Sequence, residues 1–177
     1  MNQSVFYFLY DVREIHPLIP QLALVFGAYL PYGLVLGLAG YLFLSNEFSF
    51  KKRLFISIGA VFASSISYLS VLVARGFLEV ERPFAVLPDI TPLIEASDKA
   101  LQSFPSGHAA VFFALAMFLY FYHKRLGAAY LAGAFLIGIG RVIAGIHWPL
   151  DILAGAGLGI FAAYLIRWFT LGIKRNL

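Results

Sequence analysis

Cysteine is absent from the 177 residues. That excludes disulfide staples and thiolate metal ligands. Charge is nearly as scarce: Asp, Glu, Lys and Arg make up 12% of the chain and hydrophobic residues 61%. So few charges cannot clothe a soluble globule of this size. The N-terminus, MNQSVFYFLYDVREIHP, lacks a basic leader, and its apolar run stops at Tyr10, so it does not read as a secretory signal. A short interfacial helix dipping its aromatic residues among lipid headgroups is the expectation instead. Internal repeats and low-complexity linkers are missing too, and residues 1–177 read as a single membrane-embedded domain. The net charge of +4 forms no basic patch interleaved with aromatics, so no nucleic-acid partner is expected.

What is abundant points to lipid. The chain holds 18 Phe and 10 Tyr, residues that suit hydrocarbon contact and interfacial belts. Its mean hydropathy is +0.84. The fold class is all-α, a polytopic transmembrane helical bundle of about five spanning helices plus the short N-terminal helix. At about 20 apolar residues per crossing, the candidate spans are Leu18–Leu44, Leu54–Phe77, Pro105–Tyr122, Leu126–Ile146 and Pro149–Leu171. Pro31 predicts a kink in the first. The glycines around Gly138 and Gly157 read as close-contact faces rather than phosphate loops. One end of such a bundle collects Lys51, Lys52, Arg53, Lys124, Arg125, Arg167, Lys174 and Arg175 against the single acid Glu47. By the positive-inside rule that end, with the C-terminus, is cytoplasmic, and the loop from Leu78 to Phe104 lies outside.

Three elements at the outer end carry ionisable residues that topology leaves unexplained: Arg75-x6-Arg82-Pro83, Pro105-Ser106-Gly107-His108 and Gly140-Arg141-x5-His147-x3-Asp151. Such residues at a hydrocarbon boundary are costly unless paired, so they mark a site. Pro105 suits a helix start, where Ser106 and Gly107 would offer N–H groups to an anion and Gly107 would let a tetrahedral oxyanion come close. Arginine's planar fork suits phosphate, and Arg75, Arg82 and Arg141 together match its three non-bridging oxygens. With Pro149 opening the last helix, His147 and Asp151 stand four residues apart. Asp151 can then orient one ring nitrogen and leave the other as a nucleophile. His108 is left to protonate the leaving oxygen. No cluster of carboxylates offers a metal site, and no cofactor is expected.

These three elements, in this order and spacing, resemble the signature of the type 2 phosphatidic acid phosphatase superfamily: Lys-x6-Arg-Pro, Pro-Ser-Gly-His and Ser-Arg-x5-His-x3-Asp. The resemblance implies a helical-bundle core, a phosphohistidine intermediate at His147 and general-acid duty for His108. Two positions depart from the pattern: Arg75 stands where lysine is usual and Gly140 where serine is usual. Within the superfamily, the stretch from Arg82 through Leu87-Pro88-Asp89-Ile90-Thr91-Pro92 to His108 is similar to small bacterial undecaprenyl-diphosphatases, a type linked to bacitracin resistance. The implied activity is metal-independent removal of phosphate from a membrane lipid monoester or diphosphate. The implied location is the outer face of a bacterial inner membrane, the partners being the bilayer and its lipid. Phosphatidylglycerophosphate, phosphatidic acid and lipid A phosphates are the alternative substrates. An anionic-lipid transporter or flippase is the alternative of another class, opposed by the lack of a polar trail across the midplane. A haloperoxidase sharing the phosphate-binding pattern is opposed by the spans. His16 and His123 read as boundary residues, Arg167 as a snorkelling side chain, and Trp148 as an interface aromatic that could also wall the lipid entrance.

Overall fold

A backbone surrounded by hydrocarbon must satisfy its own hydrogen bonds, and here it does so as helices. The computed structural model describes residues 2–45, 47 and 49–174. Among these run α1 (Asn2–Asp11), α2 (Leu18–Leu24), a π-helical turn (Val25–Tyr29), α3 (Leu30–Leu44) and α4 (Phe50–Phe77). The one-turn α5 (Pro83–Val86), α6 (Gly107–Tyr122), α7 (Lys124–Ile143) and α8 (Pro149–Lys174) follow. The chain is all-α; extended backbone pairs in an isolated bridge between Val80 and Gln102.

Among the described residues four helices are long and apolar enough to cross a membrane: Leu18–Leu44, Phe50–Phe77, Lys124–Ile143 and Pro149–Leu171. The expected third span is shorter. With 16 residues, α6 is about 24 Å long at 1.5 Å per residue, against about 30 Å of hydrocarbon. It can be short because it is the central helix, packed on α4, α7 and α8. Backbone leading into it is therefore shielded by protein, where non-helical chain is tolerated at membrane depth. Ser106 caps its start and donates its own N–H to the Asp151 carbonyl at 3.0 Å.

Small residues make that packing possible. A Cβ on Gly155 or Gly159 of α8 would collide with the carbonyl oxygens of Ser106 or Ala110, so α8 lies almost backbone to backbone on α6. The large side chains point the other way: Phe43, Phe77 and Trp168 are exposed, while α6 buries Ala109, Ala110, Ala114 and Ala116. Small inside and greasy outside is the arrangement a lipid solvent asks for. The expected fourth span, α7, ends at Ile143, three residues earlier than expected, because Gly145 turns the chain at φ +77°, a conformation open to glycine. The kink expected at Pro31 takes the form of the π turn just before it.

The ends of the bundle sort by charge as expected. Lys51, Lys52 and Arg53 open α4, Lys124 and Arg125 open α7, and Arg167 lies near the far end of α8; Arg175 lies outside the described residues. Arg53 donates to the carbonyls of Leu42, Phe43 and Ser45 and so closes α3. Arg167 lies over the Phe121 ring at 4.2 Å. His123 is the boundary residue expected: it caps α7 and meets Glu47 at 3.0 Å. At the opposite end α1 corrects the expectation of aromatics dipping into headgroups. Phe6 and Tyr10 are buried against Ile90 and Val142, and the Tyr10 hydroxyl accepts from Thr91 N at 2.9 Å. These rings find the loop between α4 and α6 before they find lipid, and α1 staples that loop to the bundle.

Candidate active site

Most of the motif residues arrive on helix ends. Arg75 sits in the last turn of α4, His108 in the first turn of α6, Arg141 in the last turn of α7 and Asp151 in the first turn of α8. Arg82 comes from the loop and His147 from the turn between α7 and α8. Arg75, Arg82, Gly107, His108, Arg141 and His147 line one cavity of about 230 Å³. Tyr68, Lys99, Val111 and Phe112 complete its wall. Both imidazoles and all three guanidinium groups therefore face a common space.

Behind that wall stands the residue that aims His147. Its Nδ1 lies 3.1 Å from Asp151 Oδ2. The same oxygen accepts from Ser103 Oγ at 2.5 Å and from Trp148 N at 2.8 Å. Three donors on one carboxylate oxygen fix its direction, so the ring is held and Nε2 turns to the cavity. Burial pushes the His147 pKa well below its ordinary value, and the positive charges of Arg141, Arg82 and Arg75 push the same way. The ring is thus neutral at neutral pH, with its Nε2 lone pair available.

Backbone carbonyls hold the arginines. Both Nε and Nη2 of Arg75 donate to Pro105 O, at 3.2 and 2.8 Å. Arg82 donates from Nε to Lys99 O at 2.9 Å, from Nη1 to Ile146 O at 2.6 Å and from Nη2 to Gln102 O at 3.3 Å. Its Nη1 also stands 3.5 Å from His147 Nε2, so the guanidinium and the ring nitrogen border the same point. Burial and the nearby Arg75 charge lower its pKa to about 10, which still leaves it cationic at pH 7 by about a thousandfold. Arg141 donates from Nη1 to Gly27 O at 2.9 Å, while its buried Nε has no protein partner. A buried donor without a partner is uncommon, and a tetrahedral anion in the cavity would satisfy it.

Ser106 is placed differently from the phosphate ligand that its motif suggested. It is fully buried and does not line the cavity. Its hydroxyl accepts from Ala109 N at 3.5 Å and its N–H serves Asp151 O, so it ties α6 to α8. Trp148 likewise does not wall the cavity. Its indole donates to Glu81 O at 2.8 Å and its ring rests on Phe6. Among the described residues no group of three or more His, Cys, Asp or Glu side chains could hold a metal ion.

Residues 53–175 match the family model described as the PAP2 superfamily. The chain belongs to the PAP2 superfamily. Among curated relatives it is 32% identical over 168 residues to the bacitracin transport permease protein BcrC of Bacillus licheniformis, across 95% of this chain and 80% of that one. It is 27% identical to the undecaprenyl-diphosphatase BcrC of Bacillus subtilis, across 96% and 84%. The crystal structure of Aquifex aeolicus LpxE superposes with a TM-score of 0.72 at 27% identity, covering 93% of both chains. The chain is therefore a multi-pass bacterial inner-membrane enzyme of the PAP2 membrane branch, a phosphatase acting on a lipid phosphate or diphosphate.

Four further residues of this PAP2 site escaped the motifs. Tyr68 lies seven residues before Arg75, two turns along the same face of α4, and that spacing is its signal. Gly27 supplies its carbonyl to Arg141, and the signal is Pro31, which cannot donate to the carbonyl four residues back. Ser103 and Lys99 lie in loop backbone, where no periodicity points at the cavity. Beside the polar cavity lies a second, apolar cleft of about 350 Å³ between α3, α4 and α6. Val111 and Phe112 belong to the walls of both.

Proposed function

We propose that this PAP2 enzyme removes the terminal phosphate of undecaprenyl diphosphate, yielding undecaprenyl phosphate and inorganic phosphate, in two steps and without metal. His147 Nε2 attacks phosphorus, and the bond from phosphorus to the leaving oxygen breaks as His108 supplies a proton to that oxygen. Water then attacks the phosphohistidine and restores His147. Arg75, Arg82 and Arg141 hold the three equatorial oxygens, supplying the positioning and charge neutralisation that phosphoryl transfer needs. Asp151 keeps the nucleophile's tautomer, Gly107 lets the anion approach the start of α6, and Ser106 anchors that start.

The observation that carries this reading is the neutral, carboxylate-held His147 ring facing the same cavity as three guanidinium groups. The apolar cleft sharing Val111 and Phe112 with that cavity supports a lipid tail leaving the phosphate directly into the bilayer. The undecaprenyl-diphosphatase of Bacillus subtilis, aligned over nearly the whole chain, supports the polyprenyl diphosphate. The single domain spans residues 1–177, with the cavity facing the periplasm or cell exterior and the C-terminus in the cytoplasm.

The test is phosphate release from undecaprenyl diphosphate, phosphatidic acid and phosphatidylglycerophosphate, side by side in detergent with chelator present. The diphosphate should turn over fastest, and His147→Ala should fall below about a thousandth of the wild-type rate while remaining folded. Survival of activity in that variant would remove the nucleophile. Loss of activity with chelator, restored by a divalent ion, would remove the metal-free mechanism. Faster release from either monoester would move the substrate assignment there.

A further inference from the structure

A phosphoryl group offers three non-bridging oxygens, yet four cations line the cavity. Arg75, Arg82 and Arg141 account for the oxygens, and Lys99 is the fourth. We propose that Lys99 forms a subsite for the second phosphate of a lipid diphosphate, the one that stays on the lipid. This deepens the reading above and rests on it.

The placement of Lys99 is built rather than incidental. It lies in the outer loop, in the short helical turn Ser97–Lys99. Three hydrogen bonds fasten this part of the loop to Arg82: Arg82 Nε to Lys99 O at 2.9 Å, Arg82 N to Ala100 O at 2.8 Å and Arg82 Nη2 to Gln102 O at 3.3 Å. The backbone that presents the lysine is thus clamped by one of the arginines that holds the transferred phosphate. Asp98 Oδ2 stands 4.0 Å from its ammonium, and both side chains are more than half exposed. Such a pair is worth little in water and does not immobilise the ammonium.

Charge points the same way. Inside the cavity and its backing, three guanidinium groups and one ammonium face a single carboxylate, Asp151, already engaged by three donors. A phosphate monoester brings a charge of about −1.5 to −2, and a second phosphate adds at least one more. The surplus cation therefore matches the longer headgroup. The two cation types also divide the work. Buried forks suit the phosphoryl group, whose oxygens must stay fixed. A flexible, hydrated ammonium suits a phosphate that moves off as the bond breaks.

In the first step the bond from His147 Nε2 to the terminal phosphorus forms and the bond from that phosphorus to the bridging oxygen breaks. The electron pair stays on the bridging oxygen, which takes the proton of His108 and becomes an oxygen of the departing lipid phosphate, while Lys99 offsets the negative charge that this phosphate still carries. Water then attacks the phosphohistidine and gives a proton back to His108, the bond from His147 Nε2 to phosphorus breaks, and inorganic phosphate leaves.

The experiment compares farnesyl diphosphate with farnesyl phosphate, so that the tail is constant and only the headgroup differs. Wild type, Lys99→Ala and Lys99→Arg are assayed for phosphate release in one detergent. Lys99→Ala should lose about tenfold in kcat/KM on the diphosphate, the scale of one charge-assisted hydrogen bond. On the monoester it should lose less than about threefold, and Lys99→Arg should recover most of the diphosphate rate. Equal losses on both substrates, or none on either, overturn the subsite while leaving the phosphatase reading intact. Wild type active on the monoester alone also overturns it. Release from neither substrate overturns the phosphatase reading itself.

Discussion

At the scale of single residues, the site depends on one oxygen atom. Asp151 Oδ2 accepts from His147, Ser103 and the Trp148 backbone, and any loosening of it lets the His147 ring turn. Ser103 is fully buried and makes no contact with the cavity, so it is a positioning residue. Ser103→Ala should lower kcat by about tenfold, the value of one hydrogen bond to a charged acceptor, with KM nearly constant, because the arginines still hold phosphate. A larger effect on KM than on kcat would count against this role. The pH profile follows from the same ring. In the proposed mechanism only neutral His147 can attack, and burial with three nearby cations holds its pKa well below 6.5. Acidification therefore disables it only well below pH 6.5, and the acid limb of kcat/KM should lie there. On the other side Arg82, with a pKa lowered to about 10, stays charged until strongly alkaline pH, so an alkaline limb that falls earlier belongs to the proton His108 must supply in the proposed mechanism. An acid limb centred at or above 6.5 would show that some other group sets it.

At the scale of elements, the first span turns out to belong to the site, although the matched family region begins only at residue 53. Pro31 cannot donate to the Gly27 carbonyl, the helix opens into the π turn Val25–Tyr29, and Gly27 O accepts from Arg141 instead. The turn fits only because position 140 is glycine. A Cβ there would lie 2.7 Å from Gly27 N and 2.9 Å from Ala23 O. The departure at Gly140 from the family's usual serine is therefore steric, a consequence of how closely the first span approaches α7. Restoring the usual residue should harm this enzyme: Gly140→Ser should lower kcat/KM at least about tenfold and lower the unfolding temperature in detergent. Gly33→Ala, in the same span but with open space around it, should change neither. Full activity in Gly140→Ser would mean that the first span can move aside without loss.

At the scale of the whole molecule, legibility followed the range of the forces involved. The spans, the charge sorting and most of the residues that line the cavity were readable because each rests on local composition or fixed spacing. Arg75, Arg82, His108, Arg141 and His147 all reach the cavity. Long-range backbone partners were not readable: Ser106 N to Asp151 O, Gly27 O to Arg141 and the Tyr10 staple to Thr91 join residues that no periodicity relates. The shortness of α6 was hidden for the same reason, since only its burial by three neighbours permits it. Orientation across the bilayer rests on the cation-rich end alone, and the absence of cysteine makes it directly measurable. Single cysteines can be introduced at exposed positions at each end, Glu95→Cys in the loop that carries Lys99 and Arg125→Cys at the start of α7. In intact cells a membrane-impermeant maleimide should label Glu95→Cys and spare Arg125→Cys until the membrane is opened. Both side chains are solvent-facing and outside the cavity, so phosphate release by each variant reports that the labelled protein is the folded enzyme. The reverse labelling would turn the cavity toward the cytoplasm. The substrate would then have to be a lipid phosphate presented on the inner leaflet.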